Sequence, residues 1–269
     1  MMLKPIWIVI VSLLIGVVGC SQVATTEEPL QLSSQETVDV PPPTRPVNDR
    51  VLPEPYATPH VRNNPTVVDR PDGAQLSLPQ GFEIHEYASQ FEFERPRFML
   101  LGPNNEVLIS DSVNEGAVYV LQDTNGDGRA DHRHELVSGM FRPFGIAFWN
   151  EYVYIAGSDQ IKRWVYNPES MTVEGEGEVV VQWPEHFQKG HWTRSIVFNS
   201  DGSKMFVAIG SQSNVDAGED ERRAAINVYN PDGSGHEIFA SGLRNPIGLD
   251  FYPGTDDLWA AVQERDALG

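Results

Sequence analysis

The stretch Gly190-His191-Trp192-Thr193-Arg194-Ser195-Ile196-Val197-Phe198, followed by Asn199-Ser200-Asp201-Gly202 and Lys204-Met205-Phe206-Val207-Ala208-Ile209-Gly210, reads as an antiparallel hairpin. Two apolar runs of strand length flank an Asn/Ser/Asp/Gly turn, and polar and cationic residues stand at the entrance of the first run. The form returns at Ser241-Gly242-Leu243-Arg244-Asn245-Pro246, which enters Ile247-Gly248-Leu249-Asp250-Phe251 and turns through Pro253-Gly254-Thr255-Asp256-Asp257 into Leu258-Trp259-Ala260-Ala261-Val262. Two further starts lie upstream, at Arg97-Phe98-Met99-Leu100-Leu101 and Arg142-Pro143-Phe144-Gly145-Ile146-Ala147-Phe148. The second of these turns at Trp149-Asn150-Glu151 into Tyr152-Val153-Tyr154-Ile155-Ala156 and then into the alternating run Gln160 to Val165.

From Arg97 to Arg142 to Arg194 to Arg244 the spacing is about 45, 52 and 50 residues, inside the range of propeller blades. Short strands, turns at roughly ten-residue intervals and no long 3.6-period stretch predict an all-β fold, a β-propeller of four-stranded antiparallel blades. A β-sandwich is the alternative, but it gives no reason for a repeat of about fifty residues. Residues 77–269 hold a little under four blades, and Val262 is followed by only seven residues, with no outer strands for the last blade. The expectation is a propeller domain incomplete at its C-terminal end, because a closed four-bladed ring would leave an unpaired edge.

The chain begins with Lys4 and an apolar stretch, Ile6 to Val18, of about thirteen residues, shorter than the roughly twenty needed to span a bilayer. It reads as a signal peptide over residues 1–20. Its end, Val17-Val18-Gly19-Cys20, resembles the lipobox of bacterial lipoproteins, in which Cys20 is acylated after cleavage; an ordinary secretory signal is the alternative. Residues 21–76, rich in Pro, Thr, Glu and Asn with the run Pro41-Pro42-Pro43, read as a disordered spacer. The expected location is the outer membrane of a Gram-negative cell, facing the periplasm, with the lipid anchor as the only membrane contact.

Cys20 is the only cysteine, so the domain has no disulfide, no thiol nucleophile and no Cys-rich zinc site. A net charge of −19, from 38 acidic and 19 basic residues, argues against nucleic acid as a partner. Against that background, arginines at one phase of a repeat mark either capped sheet ends or a shared anion site. His191 stands among them where a general base could face a cleft, though a lone His before a strand also serves as a turn residue. His186 and His191 lack the His-Glu-x-x-His spacing of a zinc helix. The loop Asp123-Thr124-Asn125-Gly126-Asp127-Gly128-Arg129-Ala130-Asp131 puts oxygen side chains of Asp123, Asn125, Asp127 and Asp131 at positions one, three, five and nine, with Gly128 at six. It fits a calcium loop or a hairpin loop with Asn-Gly and Asp-Gly turns; position twelve is His134 rather than Glu. His85 is expected on the first strand.

Gly190 to Arg194, Gly242-Leu243-Arg244-Asn245-Pro246-Ile247-Gly248-Leu249, and Leu258-Trp259 through Glu264-Arg265-Asp266-Ala267-Leu268-Gly269 resemble the soluble quinoprotein glucose and sorbosone dehydrogenases, above all the sorbosone branch. These are six-bladed propellers that bind pyrroloquinoline quinone (PQQ) with calcium. The resemblance implies that His191 is the base taking the proton from a sugar hydroxyl. It implies that Arg244 and Asn245, with Arg194 and Arg97, contact the quinone oxygens and carboxylates. The backbone carbonyls of Glu264 and Arg265 would hold the calcium, and remaining cofactor contacts would lie beyond Gly269. The His191 to Arg194 spacing is one residue shorter than in glucose-oxidising members, and no Gln stands near Arg142 to contact the quinone. The implied activity is oxidation of an aldose or aldehyde sugar, with electrons passed to a respiratory acceptor. A non-catalytic ligand-binding propeller and a calcium-dependent lactonase are the alternatives.

Overall fold

The computed structural model describes residues 66–216 and 218–266. The signal stretch, Cys20 and most of the spacer lie outside the described residues. Among the described residues fifteen strands run in chain order: β1 (Pro96–Leu101), β2 (Val107–Asp111), β3 (Gly116–Gln122), β4 (His132–Met140), β5 (Gly145–Trp149), β6 (Tyr152–Ala156), β7 (Gln160–Asn167), β8 (Thr172–Val173), β9 (Glu178–Gln182), β10 (Arg194–Phe198), β11 (Met205–Ile209), β12 (Ala225–Tyr229), β13 (Glu237–Ser241), β14 (Pro246–Phe251) and β15 (Leu258–Val262). Glu185–Gln188 form a short 3-10 helix. No helix among the described residues is long and apolar enough to cross a membrane.

The strands form sheets of order β1-β2-β3-β4, β5-β6-β7 with both β8 and β9 on β7, β10-β11-β12-β13, and the hairpin β14-β15. All pairings are antiparallel. The first strands pack in sequence, β1 on β5, β5 on β10 and β10 on β14. This is a β-propeller of three full blades and the first hairpin of a fourth, as the repeat predicts.

The apolar runs are continuous rather than alternating because a middle blade is buried on both faces. In β6, Val153 and Ile155 join Leu108, Val118 and Val120 of the first blade in one core. Tyr154 and Ala156 turn the other way, to Ile196, Met205, Val207 and Ile209 of the third. Each of these Val, Leu, Ile and Met side chains, fully removed from water, contributes about 1.5–3 kcal/mol. On the far side of the third blade, Phe206, Ile226 and Val228 meet Leu249, Phe251 and Leu258. The inner strands approach closely: a Cβ on Gly145 would lie 2.3 Å from the Arg194 carbonyl oxygen of the neighbouring blade.

Two local features differ from the sequence expectation. His85 lies in irregular chain before β1, and the segment from Tyr87 to Phe93 packs on the first blade against Ile109, Leu121 and Ala130. Two carboxylate bonds anchor it: Asp111 accepts the backbone N–H of Glu94 at 2.9 Å and that of Arg95. The second blade carries β8 as an extra strand, made by a reversal at Met171, which has φ of 56°.

Candidate functional site

Because every inner strand leads its blade, the four strand entrances gather at one end of the propeller. His191 is half-buried just before β10. Its backbone N–H donates to the Ser211 carbonyl at 3.1 Å, and its ring Nδ1 lies 2.7 Å from the same oxygen. A carbonyl only accepts, so Nδ1 carries the proton and Nε2 keeps its lone pair. The Ser211 hydroxyl, 3.0 Å from Nδ1, donates to the Ser213 carbonyl at 2.6 Å and so serves the ring as a second acceptor. Burial pushes the His191 pKa below its ordinary 6.5; Arg244 and Arg223 push the same way, while the Ser211 bond and Asp266 oppose them. The ring is therefore neutral at pH 7, as a base requires.

Asn245 and Arg244 enter from the fourth blade. Asn245 is buried and its Oδ1 has no hydrogen-bond partner among the described residues, a cost that a bound donor would relieve. Gly210, at the end of β11, lies between the two candidate side chains. A Cβ there would be 2.3 Å from Asn245 Oδ1 and 2.6 Å from His191 Cβ. Gly210→Ala is expected to displace both and to destabilise the domain by about 1–3 kcal/mol. Thermal unfolding checks this, together with a changed His191 imidazole resonance; an unmoved resonance contradicts the placement.

Arg244 directs Nη1 to the Glu264 carbonyl at 2.7 Å and Nη2 to Asp266 Oδ2 at 3.0 Å. A ligand carboxylate would have to exchange with Asp266, whose side chain is 70% exposed, to meet this guanidinium. Arg97, exposed at the start of β1, lies 5.3 Å from the Trp192 ring centroid. Arg142 lies 6.0 Å from the same ring, has φ of 49° and donates Nε to Asn114 Oδ1 at 2.9 Å. Neither is ion-paired to a carboxylate among the described residues. Trp192 and Arg142 thus join the site; Trp192 has no role that its motif alone suggests, and Arg142 stands in the chain only as a marker of the repeat.

Arg194 corrects the sequence expectation of a cofactor contact. It is fully buried, and its two terminal nitrogens donate to four carbonyls: His191 at 3.0 Å, Thr193 at 2.8 Å, Ser158 at 3.1 Å and Phe187 at 2.6 Å. Burial, with Arg223 beside it, lowers its pKa to about 9. It fastens the segment that carries His191 from below rather than facing a ligand.

The expected calcium positions also read differently. The Glu264 carbonyl accepts Arg244, so a cation there would face a guanidinium across the same oxygen. In the acidic loop, Asp123 turns its carboxylate onto the N–H groups of Gly126 and Gly128, each at 2.8 Å. Asp127 N–H bonds Asn125 Oδ1 at 2.9 Å, and Asp131 bonds the Thr124 hydroxyl at 2.7 Å. That last bond holds the Asp131 carboxyl below its usual range. No three acidic or histidine side chains gather for a metal among the described residues; the loop closes on its own backbone.

An uncharacterized protein of Borreliella burgdorferi is 25% identical over 202 residues, 72% of this chain and 51% of that protein. Among solved structures, the holo form of the PQQ domain of a pyranose dehydrogenase from Coprinopsis cinerea superposes with a TM-score of 0.56 at 18% identity, covering 65% of this chain and 45% of that one. The calcium structure of a Trichoderma reesei protein of carbohydrate-active enzyme family AA12 gives 0.54 at 20% identity, covering 64% and 46%. These likenesses bear on the fold, and the chain spans about half the length of each. The TrAA12-like family profile matches residues 76–269. With three and a half blades in place and the matched region covering all of them, the chain belongs to the TrAA12-like family.

Proposed function

We propose that this chain is part of an exported, lipid-anchored quinoprotein that oxidises an aldose or aldehyde sugar with PQQ and passes the electrons to a respiratory acceptor. The observation that carries the reading is the pairing of a neutral His191, its Nε2 free, with the unsatisfied buried Oδ1 of Asn245 across Gly210.

The residues fit a planar polyanion. Arg244 would meet a carboxylate in exchange for Asp266, and Arg97 would meet another, with Arg142 and Trp192 alongside; a guanidinium fork matches a carboxylate in two bonds. Asn245 would orient the ring edge. PQQ, when bound, supplies a two-electron quinone acceptor, chemistry that no side chain provides. His191 does the acid–base work: Nε2 takes the proton of the sugar hydroxyl as the carbon is oxidised. The Ser211 carbonyl holds Nδ1–H and stabilises the imidazolium that forms. Calcium on the Glu264 and Arg265 carbonyls does not fit the present arrangement, because Arg244 occupies the Glu264 oxygen, and no step here depends on it. The PQQ domain of the Coprinopsis enzyme supports the cofactor by likeness of fold alone.

The pH profile tests the base. Since the neutral ring is the working form and its pKa lies below 6.5, kcat/KM for PQQ-dependent dye reduction is expected to stay level through neutral pH. It should fall only as the pH drops below 6.5. An acid limb centred above pH 7 would assign the proton to another group.

A further inference from the structure

Beneath this site lies a second guanidinium that belongs to no repeat. Arg223 precedes β12 and is 2% exposed. Its Nη2 donates to the carbonyls of Lys189 and Ser211, both at 2.9 Å, and reaches that of His191 at 3.3 Å. Nη1 donates to the Phe187 carbonyl at 3.2 Å. On its other side, Nε lies 3.3 Å from Glu219 Oε2, and that same oxygen accepts the backbone N–H of Gln212 at 2.5 Å. Three donors therefore converge on the Ser211 carbonyl: the backbone N–H of His191, its ring Nδ1 and Arg223. Glu219 ties the guanidinium to the residue immediately after Ser211.

Building on the reading of His191 as the base, we propose that Arg223, anchored by Glu219, is the positioning residue for His191. It fixes the Ser211 carbonyl where only an Nδ1-protonated ring can bond to it, leaving Nε2 as the proton acceptor.

The local chain explains why such a clamp is needed. Residues 211–216 form no helix or strand, so the Ser211 peptide has no ladder to hold it. Its other backbone tie is the N–H bond to the Arg244 carbonyl at 2.7 Å. A peptide plane free to tilt would let the imidazole trade tautomers. Arg223 bonds both ends of the contact, the Ser211 carbonyl and the His191 carbonyl, and so sets their separation. Arg194 shares the His191 and Phe187 carbonyls but does not bond Ser211, so it cannot replace this function. The charged groups facing His191 are Arg244 and Arg223, which disfavour its protonation, and Asp266, which favours it. Arg223 touches neither substrate nor cofactor in this scheme and acts through the carbonyl.

Imidazole nitrogen NMR on the full chain without PQQ tests the proposal. The sequence has seven histidines, and His191→Gln identifies the signal by its loss. The wild type is expected to show the Nδ1–H neutral tautomer. Arg223→Met frees the carbonyl and removes a cation, so the tautomers mix and the titration midpoint moves up. Arg223→Lys keeps the charge but not the fork, so the tautomers mix while the midpoint stays low. Should the methionine variant not fold, the lysine variant and the wild-type tautomer decide. An Nε2–H wild type, or a lysine variant with an unmixed tautomer, overturns the proposal. With PQQ and an aldose, Arg223→Lys is expected to lower kcat about tenfold with KM unchanged, the cost typical of a lost orienting partner. If the wild type shows no PQQ-dependent activity, the dehydrogenase reading fails, while the NMR still decides whether Arg223 sets the His191 tautomer.

Discussion

His191→Ala is expected to lower the kcat of PQQ-dependent sugar oxidation by roughly 10²- to 10⁴-fold, the contribution of a positioned general base. The domain should remain folded, because the ring is half-buried and most of the bonds that hold the segment are donated by Arg194 and Arg223 to backbone carbonyls. PQQ affinity should change little, since the cofactor contacts assigned to Arg244, Arg97 and Asn245 are untouched. Steady-state dye reduction over a range of aldoses, paired with thermal unfolding, reads both quantities. Activity within a few-fold of wild type would place the base elsewhere. A loss of activity accompanied by unfolding would make His191 a structural residue.

Arg194→Ala should show the opposite pattern. Removing the guanidinium takes a donor from four carbonyls, of which His191 and Phe187 keep their bonds to Arg223, and opens a void at a position with no exposed surface. Each buried acceptor left without a partner costs about 1–3 kcal/mol, and loss of a buried guanidinium that holds several carbonyls costs several kcal/mol in total. A destabilisation of about 4 kcal/mol or more is expected, which lowers the Tm of a domain this size by roughly 10 °C. Arg194→Lys should recover only part of this, because one ammonium cannot reach both His191 and Ser158. A cofactor-holding arginine would behave differently, losing PQQ affinity at nearly unchanged Tm; calorimetric unfolding without ligand separates the two roles.

The arginines show what could and could not be read from the chain. All four stand at the entrance of an inner strand, and the repeat phase places them there correctly. Their fates differ because phase along the chain does not determine depth. Arg97 opens the first blade, which lacks a neighbour on one side in the described residues, and stays exposed. Arg194 starts a strand packed between two others and is swallowed by the carbonyls of the segment before it. The blades were legible because both faces of a middle blade are apolar, giving runs such as Tyr152–Ala156 that alternation would have broken. Strand β8 was not, because two residues of pairing carry almost no sequence signal. His85 misled because an apolar-polar stretch before the first blade looks like a strand, yet this segment covers the blade's flank instead.

Arg223 escaped the sequence reading for another reason. It follows Glu219 at a spacing of four in an irregular loop, where that spacing signifies nothing without a helix. Only the folded chain brings it under Ser211, some twelve residues earlier. The acidic loop errs the other way: its spacing suits a cation, but the side chains satisfy the loop's own N–H groups, as Asn and Asp side chains commonly do in tight turns.

Whether this propeller end holds PQQ beside a histidine base is tested most directly by dye reduction with the full-length protein. With an aldose panel and calcium in the buffer, reduction is expected only when PQQ is added and is expected to vanish in His191→Ala. No reduction with PQQ, together with no PQQ binding by the folded protein, would rule out the dehydrogenase and leave a ligand-binding propeller in its place.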